Sequence, residues 1–521
     1  MRTTRLTFPR LAAIGLALAI IAGCGNTDSG VSATKSIDAT EATPETPPVD
    51  TAPTDTATVP VDSTPTTEGP FTPTLDTTPA PTDGGIISFG DGKTPQPYDN
   101  FLNAAFADIT QFWATSFEAT YGTPFQPVAG IFAVYPERTD PIETCDGQIT
   151  FPDVEQNAFY TSCGDIIVYD DAELLPDLVN RLGAAAVGVV AAHEYGHAIQ
   201  MRAGVFDIPG MRTIDTEQQA DCFAGAWAAH VARGEAAGIT FGDVDVKAGL
   251  VAMIEVRDPP GTDSENDDSG HGSAFDRVGA YQDGFINGIA RCRDYPTDPN
   301  PRIDLQFTSE DIDTQGNLSL PEVIEGDLSL PKSLDTLWVP TLEASGITFT
   351  PPTLAAFPQS GPFPTCDSFT PEQLTNNATF CQNTNTIAYD DDFLQALYNQ
   401  FGDLAFGYPI AAAYSDAVQV ALQSSLTGEA RVLLNDCLVG AYLLDVLPSG
   451  QDDANGNLVA NNPNQNIILS AGDLDEVVST AVLEGDPSSD TDRLGTAFEK
   501  IDAFRAGVTG GLGACQARID G

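Results

Sequence analysis

The chain is poor in positive charge. Its 521 residues include 22 Lys and Arg against 74 Asp and Glu, a formal net charge of -52. Phosphate backbones are gripped by basic patches, so this balance excludes nucleic acid as a partner. It suits a solvated extracytoplasmic protein, or one adapted to salt, and says nothing about the fold. Histidine is scarcer still: 4 in all, at positions 193, 197, 230 and 271. No Cys-x-x-Cys pair occurs among the 9 cysteines, which argues against a zinc–thiolate site. No segment after the N-terminus is long and apolar enough to read as a membrane-spanning helix.

What is present begins with an address. Arg2, Arg5 and Arg10 precede a short apolar run, Leu11 to Ala22, which ends in Ile21-Ala22-Gly23-Cys24. That ending resembles a bacterial lipobox. The resemblance implies removal of residues 1–23, acylation of Cys24 and attachment to the outer side of the bacterial cell membrane. The other reading is an ordinary signal peptide with an incidental cysteine. Residues 24–95 are dominated by Thr, Pro, Asp, Ser and Ala, too little apolar surface to offset ordering entropy, so a disordered tether is expected.

The remaining chain echoes itself. AAHEYGHAIQ from Ala191 returns as IAAAYSDAVQ from Ile410, DCFAGAW from Asp221 as DCLVGAY from Asp436, and GSAFDRVGAYQDG from Gly272 as GTAFEKIDAFRAG from Gly495. FWATSFEA and IIVYDD recur likewise, in order, at offsets of 215 to 225. Collinear echoes at one long period indicate a duplication rather than a solenoid. Two homologous domains in tandem are expected, at 96–295 and 325–518, joined by an acidic linker at 296–324. The eight cysteines after Cys24 follow the same register. The simplest pairing for two independent copies is Cys145–Cys163, Cys222–Cys292, Cys366–Cys381 and Cys437–Cys515.

Apolar spacing predicts helices over 101–119, 184–201, 217–233 (with Asp215 or Thr216 as N-cap) and 275–290, and strands within 125–135 and 165–170. Helices outnumber strands, so the expected class is α+β with a mainly helical core and a small sheet.

His193-Glu194-Tyr195-Gly196-His197 interrupts an apolar helix. Histidines four apart share one helix face, so one cation can take a nitrogen from each, and Glu194 can reach a metal-held water. Unpartnered polar groups would be costly to bury there, which argues against coincidence. A third ligand is needed. Glu217 and Asp221 share a face of the next helix. One can bind metal while the other accepts a ligand histidine's N–H. The bland alternative is an exposed acidic face.

HExGH followed by ExxADCFAG and HGS resembles the putative neutral zinc metallopeptidase family of bacteria, over about 200 residues of the first domain only. The resemblance implies a zincin-like fold and one Zn2+ per chain at His193, His197 and Glu217. It also implies Glu194 as general base and Asp221 supporting a ligand. The family often has a histidine directly after HExGH; here that residue is Ala198. His271, in SGHGSAF, is the candidate oxyanion donor, its alternative a loop or cap residue. His230 reads as a helix-end cap or a solvent residue. Cys222 reads as structural, because its echo Cys437 survives where the ligands do not.

In the second domain His193 aligns with Ala412, Glu194 with Ala413, His197 with Asp416 and Glu217 with Val432; only Asp221 keeps a like residue, Asp436. That domain cannot build this metal site. The expected function is a membrane-anchored extracytoplasmic zinc peptidase acting on protein or peptide. The rival is a non-catalytic envelope scaffold on the same fold. A third reading is hydrolysis of a different bond, such as a cell-wall amide. The sequence leaves the oligomeric state open.

Overall fold

β-branched and aromatic residues are confined to a few short runs, and these form small sheets set among long helices. The computed structural model describes residues 85–520 except 268–269, 310, 367–368, 453–457 and 486–494. The signal segment, Cys24 and nearly all of the tether lie outside the described residues.

In the first half, helix α1 (Asp99–Tyr121) packs beside a sheet of β1 (Ile87–Ser88), β2 (Gly130–Val134), β3 (Ala158–Thr161) and β4 (Ile166–Asp170). The order is β1-β2-β4-β3, with β3 antiparallel to β4 and the other pairs parallel. Strand β4 is buried along its whole length, as its unbroken apolar run Ile166-Ile167-Val168 requires of a central strand. Strand β3 is left as an edge. Helices α2 (Leu174–Leu182), α3 (Ala184–Ala203), α4 (Thr213–Ala232), α5 (Asp243–Glu255) and α6 (Ala274–Asp294) follow. Helix α3 is small and apolar around most of its circumference and is therefore buried, ending at Gly204 in the left-handed conformation.

Helix α4 starts at Thr213, earlier than expected, and neither Asp215 nor Thr216 is its N-cap. Asp215 is instead the third helical residue, and its carboxylate reaches back to accept the Arg212 N–H at 3.2 Å. Helices α4 and α6 approach closely. A Cβ on Gly225 would lie 1.9 Å from the Tyr281 carbonyl oxygen, and one on Gly284 1.8 Å from that of Cys222. A Cys222–Cys292 disulfide ties the same pair.

The second half runs through the same order of elements. Helix α7 (Leu330–Ala344) precedes β5 (Thr353–Phe357), β6 (Ala378–Cys381) and β7 (Thr386–Asp390). Their order is β5-β7-β6, again one parallel and one antiparallel pair. Then come α8 (Asp391–Gln400), α9 (Asp403–Ala421), α10 (Gly428–Val446), α11 (Asp473–Glu484) and α12 (Ala497–Asp520). Gly440 and Gly507 bring α10 and α12 together, and Cys437–Cys515 bridges them. Cys145–Cys163 and Cys366–Cys381 each close a loop beside their own sheet.

A continuous apolar core runs through both halves. Where they meet, Phe275 stacks edge-on against Phe504, the Arg505 guanidinium lies over the Phe275 ring, and Asp475 accepts the Phe275 N–H at 2.9 Å. The stretch expected as a linker is pinned at its start: Arg302 pairs with Asp215 and Glu265, and the Ile303 N–H donates to Asp276.

Candidate metal centre

Helices α3 and α4 cross where Gly196 faces Ala220; a Cβ on Gly196 would lie 3.1 Å from the Ala220 Cα. This close crossing sets the carboxylate of α4 against the imidazoles of α3. His193 Nε2 and His197 Nε2 are 3.2 Å apart. Glu217 Oε2 lies 3.2 Å from the first, and Glu217 Oε1 3.4 Å from the second. All three side chains can offer atoms within 4.8 Å of one another.

These separations have a chemical meaning. Ligands about 2.1 Å from a tetrahedral ion sit roughly 3.4 Å from each other. Among the described residues, Glu217 Oε2 is moreover buried without an aligned hydrogen bond, although His193 Nε2 lies 3.2 Å away, a costly state that a cation would relieve. The residues present therefore fit a metal ion with two imidazoles and one carboxylate as ligands.

Behind the ligands stands a set of orienting contacts. His193 Nδ1 donates to Asp221 Oδ1 at 2.7 Å, leaving Nε2 for the metal. Arg277 from α6 holds Asp221 with a fork, Nε to Oδ2 at 3.0 Å and Nη2 to Oδ1 at 2.8 Å. His197 Nδ1 donates to Gln200 Oε1 at 2.9 Å, and Gln200 Nε2 donates to the Thr216 carbonyl. Burial pushes His193 toward its neutral form, but Asp221 and Glu217 outweigh it and raise its pKa to about 10. For Glu217, burial is overcome by the histidines around it, which hold it well below the usual carboxylate range.

Glu194 is buried, and burial raises its pKa. One of its oxygens accepts the Tyr160 N–H of β3 at 3.1 Å. A cavity of about 40 Å³ beside it is lined by Leu174, Leu178, Val190 and Met253 together with His193 and His271. His271 enters the site from the loop before α6: its Nε2 lies 3.9 Å from Glu217 Oε2, and its Nδ1 3.5 Å from Asp258 Oδ1. Asp258 fixes that loop by accepting the N–H groups of His271 and Gly272, each at 2.7 Å. His230 is elsewhere, 3.3 Å from Asp108 and 3.1 Å from Glu235. Cys222 is bonded to Cys292 and offers no thiol.

The sequence reading missed Gln200, Arg277 and Asp258. Gln200 carried a signal, since it stands three residues after His197 on one helix face. Arg277 and Asp258 carried none that spacing could reveal.

The model of the family described as Putative neutral zinc metallopeptidase matches residues 88–295, the segment that holds every residue of this site. That segment is similar to the family, and the match does not address the rest of the chain. Among curated proteins, the chain is similar to Uncharacterized protein Rv2575 of Mycobacterium tuberculosis and Uncharacterized protein Mb2605 of Mycobacterium bovis. Each is 31% identical over 146 residues, covering 24% of this chain and 50% of the relative. The chain thus spans about half the length of the curated relatives it matches. No solved structure matches it.

Proposed function

We propose that the first half is a zinc-dependent peptidase of zincin-like fold, with His193, His197 and Glu217 holding the ion. The observation that carries this is the spacing of those donors around a Glu217 oxygen buried without an aligned hydrogen bond. Bound there, zinc would supply Lewis acidity to a water or a substrate carbonyl. The chain's own residues do the rest. Glu194, its pKa raised by burial, takes a proton from the attacking water and returns it to the leaving amine. Asp221 and Arg277 keep His193 in one tautomer. His271, braced by Asp258, is poised to donate to a developing oxyanion.

A peptide is favoured over other substrates by strand β3. It is the edge of its sheet, and its outer side faces Glu194. An extended chain can add to such an edge with main-chain hydrogen bonds. The neighbouring cavity suits a small apolar side chain. We further infer that 325–518 is a copy of this domain that has lost its ligands, and that acylated Cys24 tethers the whole protein outside the cell membrane.

The test is metal analysis of the purified protein together with Glu194→Gln assayed on casein. About one zinc per chain is expected, with turnover down roughly 100-fold or more and zinc retained. Zinc retained with no turnover in the unaltered protein would favour the scaffold reading. Proteolysis unaffected by Glu194→Gln would place the activity elsewhere.

A further inference from the structure

A second group of ligand-type side chains lies in the other half. Asp403 opens α9, while Asp473 and Glu476 occupy the first turn of α11, and oxygens from all three lie within 4.8 Å of one another. Asp403, Asp473 and Glu476 are 9%, 8% and 7% exposed. Among the described residues, no lysine, arginine or histidine forms an ion pair with any of them.

Neutral donors satisfy part of the cluster. Glu476 Oε2 accepts the N–H groups of Leu404 and Ala405 at 2.7 and 3.1 Å. Asp473 accepts the Ser470 N–H, and Asp403 Oδ2 accepts the Leu318 N–H at 3.1 Å. Among the described residues, Asp403 Oδ1 is buried with no hydrogen-bond partner. Gly402 leaves room for the convergence: a Cβ there would sit 2.0 Å from Glu476 Oε1 and 2.3 Å from Asn317 Oδ1. Three carboxylates this close and this dry cannot all be ionised without a cation or a shared proton.

We propose that Asp403, Asp473 and Glu476 form a binding site for a hard divalent cation, Ca2+ foremost. All the converging atoms are oxygens, which suits Ca2+ and excludes a softer metal as the natural occupant. The loop that reaches the cluster, Asp311-Ile312-Asp313-Thr314-Gln315-Gly316, also has the first- and third-position acids and sixth-position glycine of calcium loops, with Gln315 in place of the fifth-position Asp or Asn. The Ser470 hydroxyl lies 3.1 Å from its Gly316 carbonyl oxygen and 2.9 Å from Asp473 Oδ1, and its single proton serves one or the other. A bound cation would therefore lock this loop, α9 and α11 together.

The experiment uses the full chain carrying one equivalent of zinc in calcium-free buffer. Titration calorimetry with CaCl2 should give one site with a dissociation constant of about 10⁻⁴ M. About 1 mM Ca2+ should raise the melting midpoint by roughly 3–6 °C. Asp473→Asn and Asp403→Asn should each abolish that shift and, with repulsion relieved, start from a higher calcium-free midpoint. His193→Ala should leave the shift intact, which separates this site from the zinc centre. If Asp473→Asn fails to fold, Asp403→Asn decides. A wild-type protein that shows no heat or shift with Ca2+, and instead gains stability as pH falls from 7 to 5, would overturn the proposal in favour of a shared proton. So would a shift that survives both substitutions.

Discussion

The two halves keep one helix pair and differ in what they hang on it. In the first, Asp221 on α4 is forked by Arg277 and orients His193. In the second, Asp436 on α10 meets Lys500 at 3.2 Å to each oxygen, and Tyr408 donates to it at 2.6 Å in place of a histidine. Both aspartates are fully buried, yet their acidities diverge. Burial pushes both up; Arg277 and His193 together overcome it for Asp221, whereas Lys500 does not for Asp436. The buried ion pair between the two helices is thus a feature of the scaffold. The first half carries the metal-ligand set beside it, and the second holds the same kind of pair without those ligands. Gln419 shows the trace. Like Gln200 it donates to the carbonyl opening the next helix, but among the described residues its own Oε1 is buried without a partner, Asp416 standing where the first half has His197.

The strongest way to break this comparison is to rebuild the site. Ala412→His, Ala413→Glu, Asp416→His and Val432→Glu together place the ligand set on α9 and α10. If the helix pairs cross alike, zinc content should rise from about one to about two equivalents per chain. The second ion should bind more weakly, since Tyr408 contests Asp436. Content fixed at one equivalent, in a variant whose circular dichroism is unchanged, would mean that the crossings differ.

Removing the shared aspartate should separate scaffold from site. Asp221→Asn leaves Arg277 buried without its carboxylate and should cost roughly 3 kcal/mol or more in denaturant unfolding, whereas Asp436→Asn leaves Lys500 with Glu484 at 3.7 Å and should cost less. Only Asp221→Asn should also weaken zinc binding, by about 10- to 100-fold. Equal zinc affinity in the two variants would remove Asp221 from the centre.

Acidity gives a third handle. A metal must displace the proton that Asp221 and Glu217 hold on His193, whose pKa stands near 10. Zinc affinity should therefore climb about tenfold per pH unit between pH 7 and 9. In metal-free protein the sign reverses. A histidine raised on folding contributes fully below its unfolded value of about 6.5 and loses that contribution as pH rises toward 10. Glu217, depressed on folding, contributes above about 4.5 and loses it on acidification. Metal-free melting should be highest between those limits and fall toward pH 10, while zinc-loaded protein stays level. A flat metal-free profile would show that His193 is not held protonated.

Much of the first site was legible because its chemistry is local. His193, Glu194 and His197 sit within five residues, and Glu217 and Asp221 within another five on one helix face. Collinear echoes likewise exposed the common order of elements. The start of α4 was not legible, because Asp215 reaches back to Arg212 and lets the helix begin at Thr213. Nor was Arg277, 56 residues from the aspartate it holds. The carboxylates of α9 and α11 lie 70 residues apart and are joined only by tertiary packing. In so acidic a chain, composition hides them.

The smallest effect gives the cleanest subtraction. Gln200→Ala and Gln419→Ala both delete an amide that anchors the start of the following helix, at Thr216 and Arg431 respectively. Each should cost about 1 kcal/mol of stability from the lost hydrogen bond. Gln419 also donates to Asn435 at 2.7 Å, so its variant should lose slightly more. Gln200 alone supports a ligand, through His197 Nδ1, so its variant should also bind zinc roughly tenfold more weakly. The part of the Gln200→Ala effect that added zinc restores measures what orienting one imidazole contributes. If zinc affinity is untouched, His197 is positioned by helix geometry alone, and the glutamine is as purely structural in the first half as in the second.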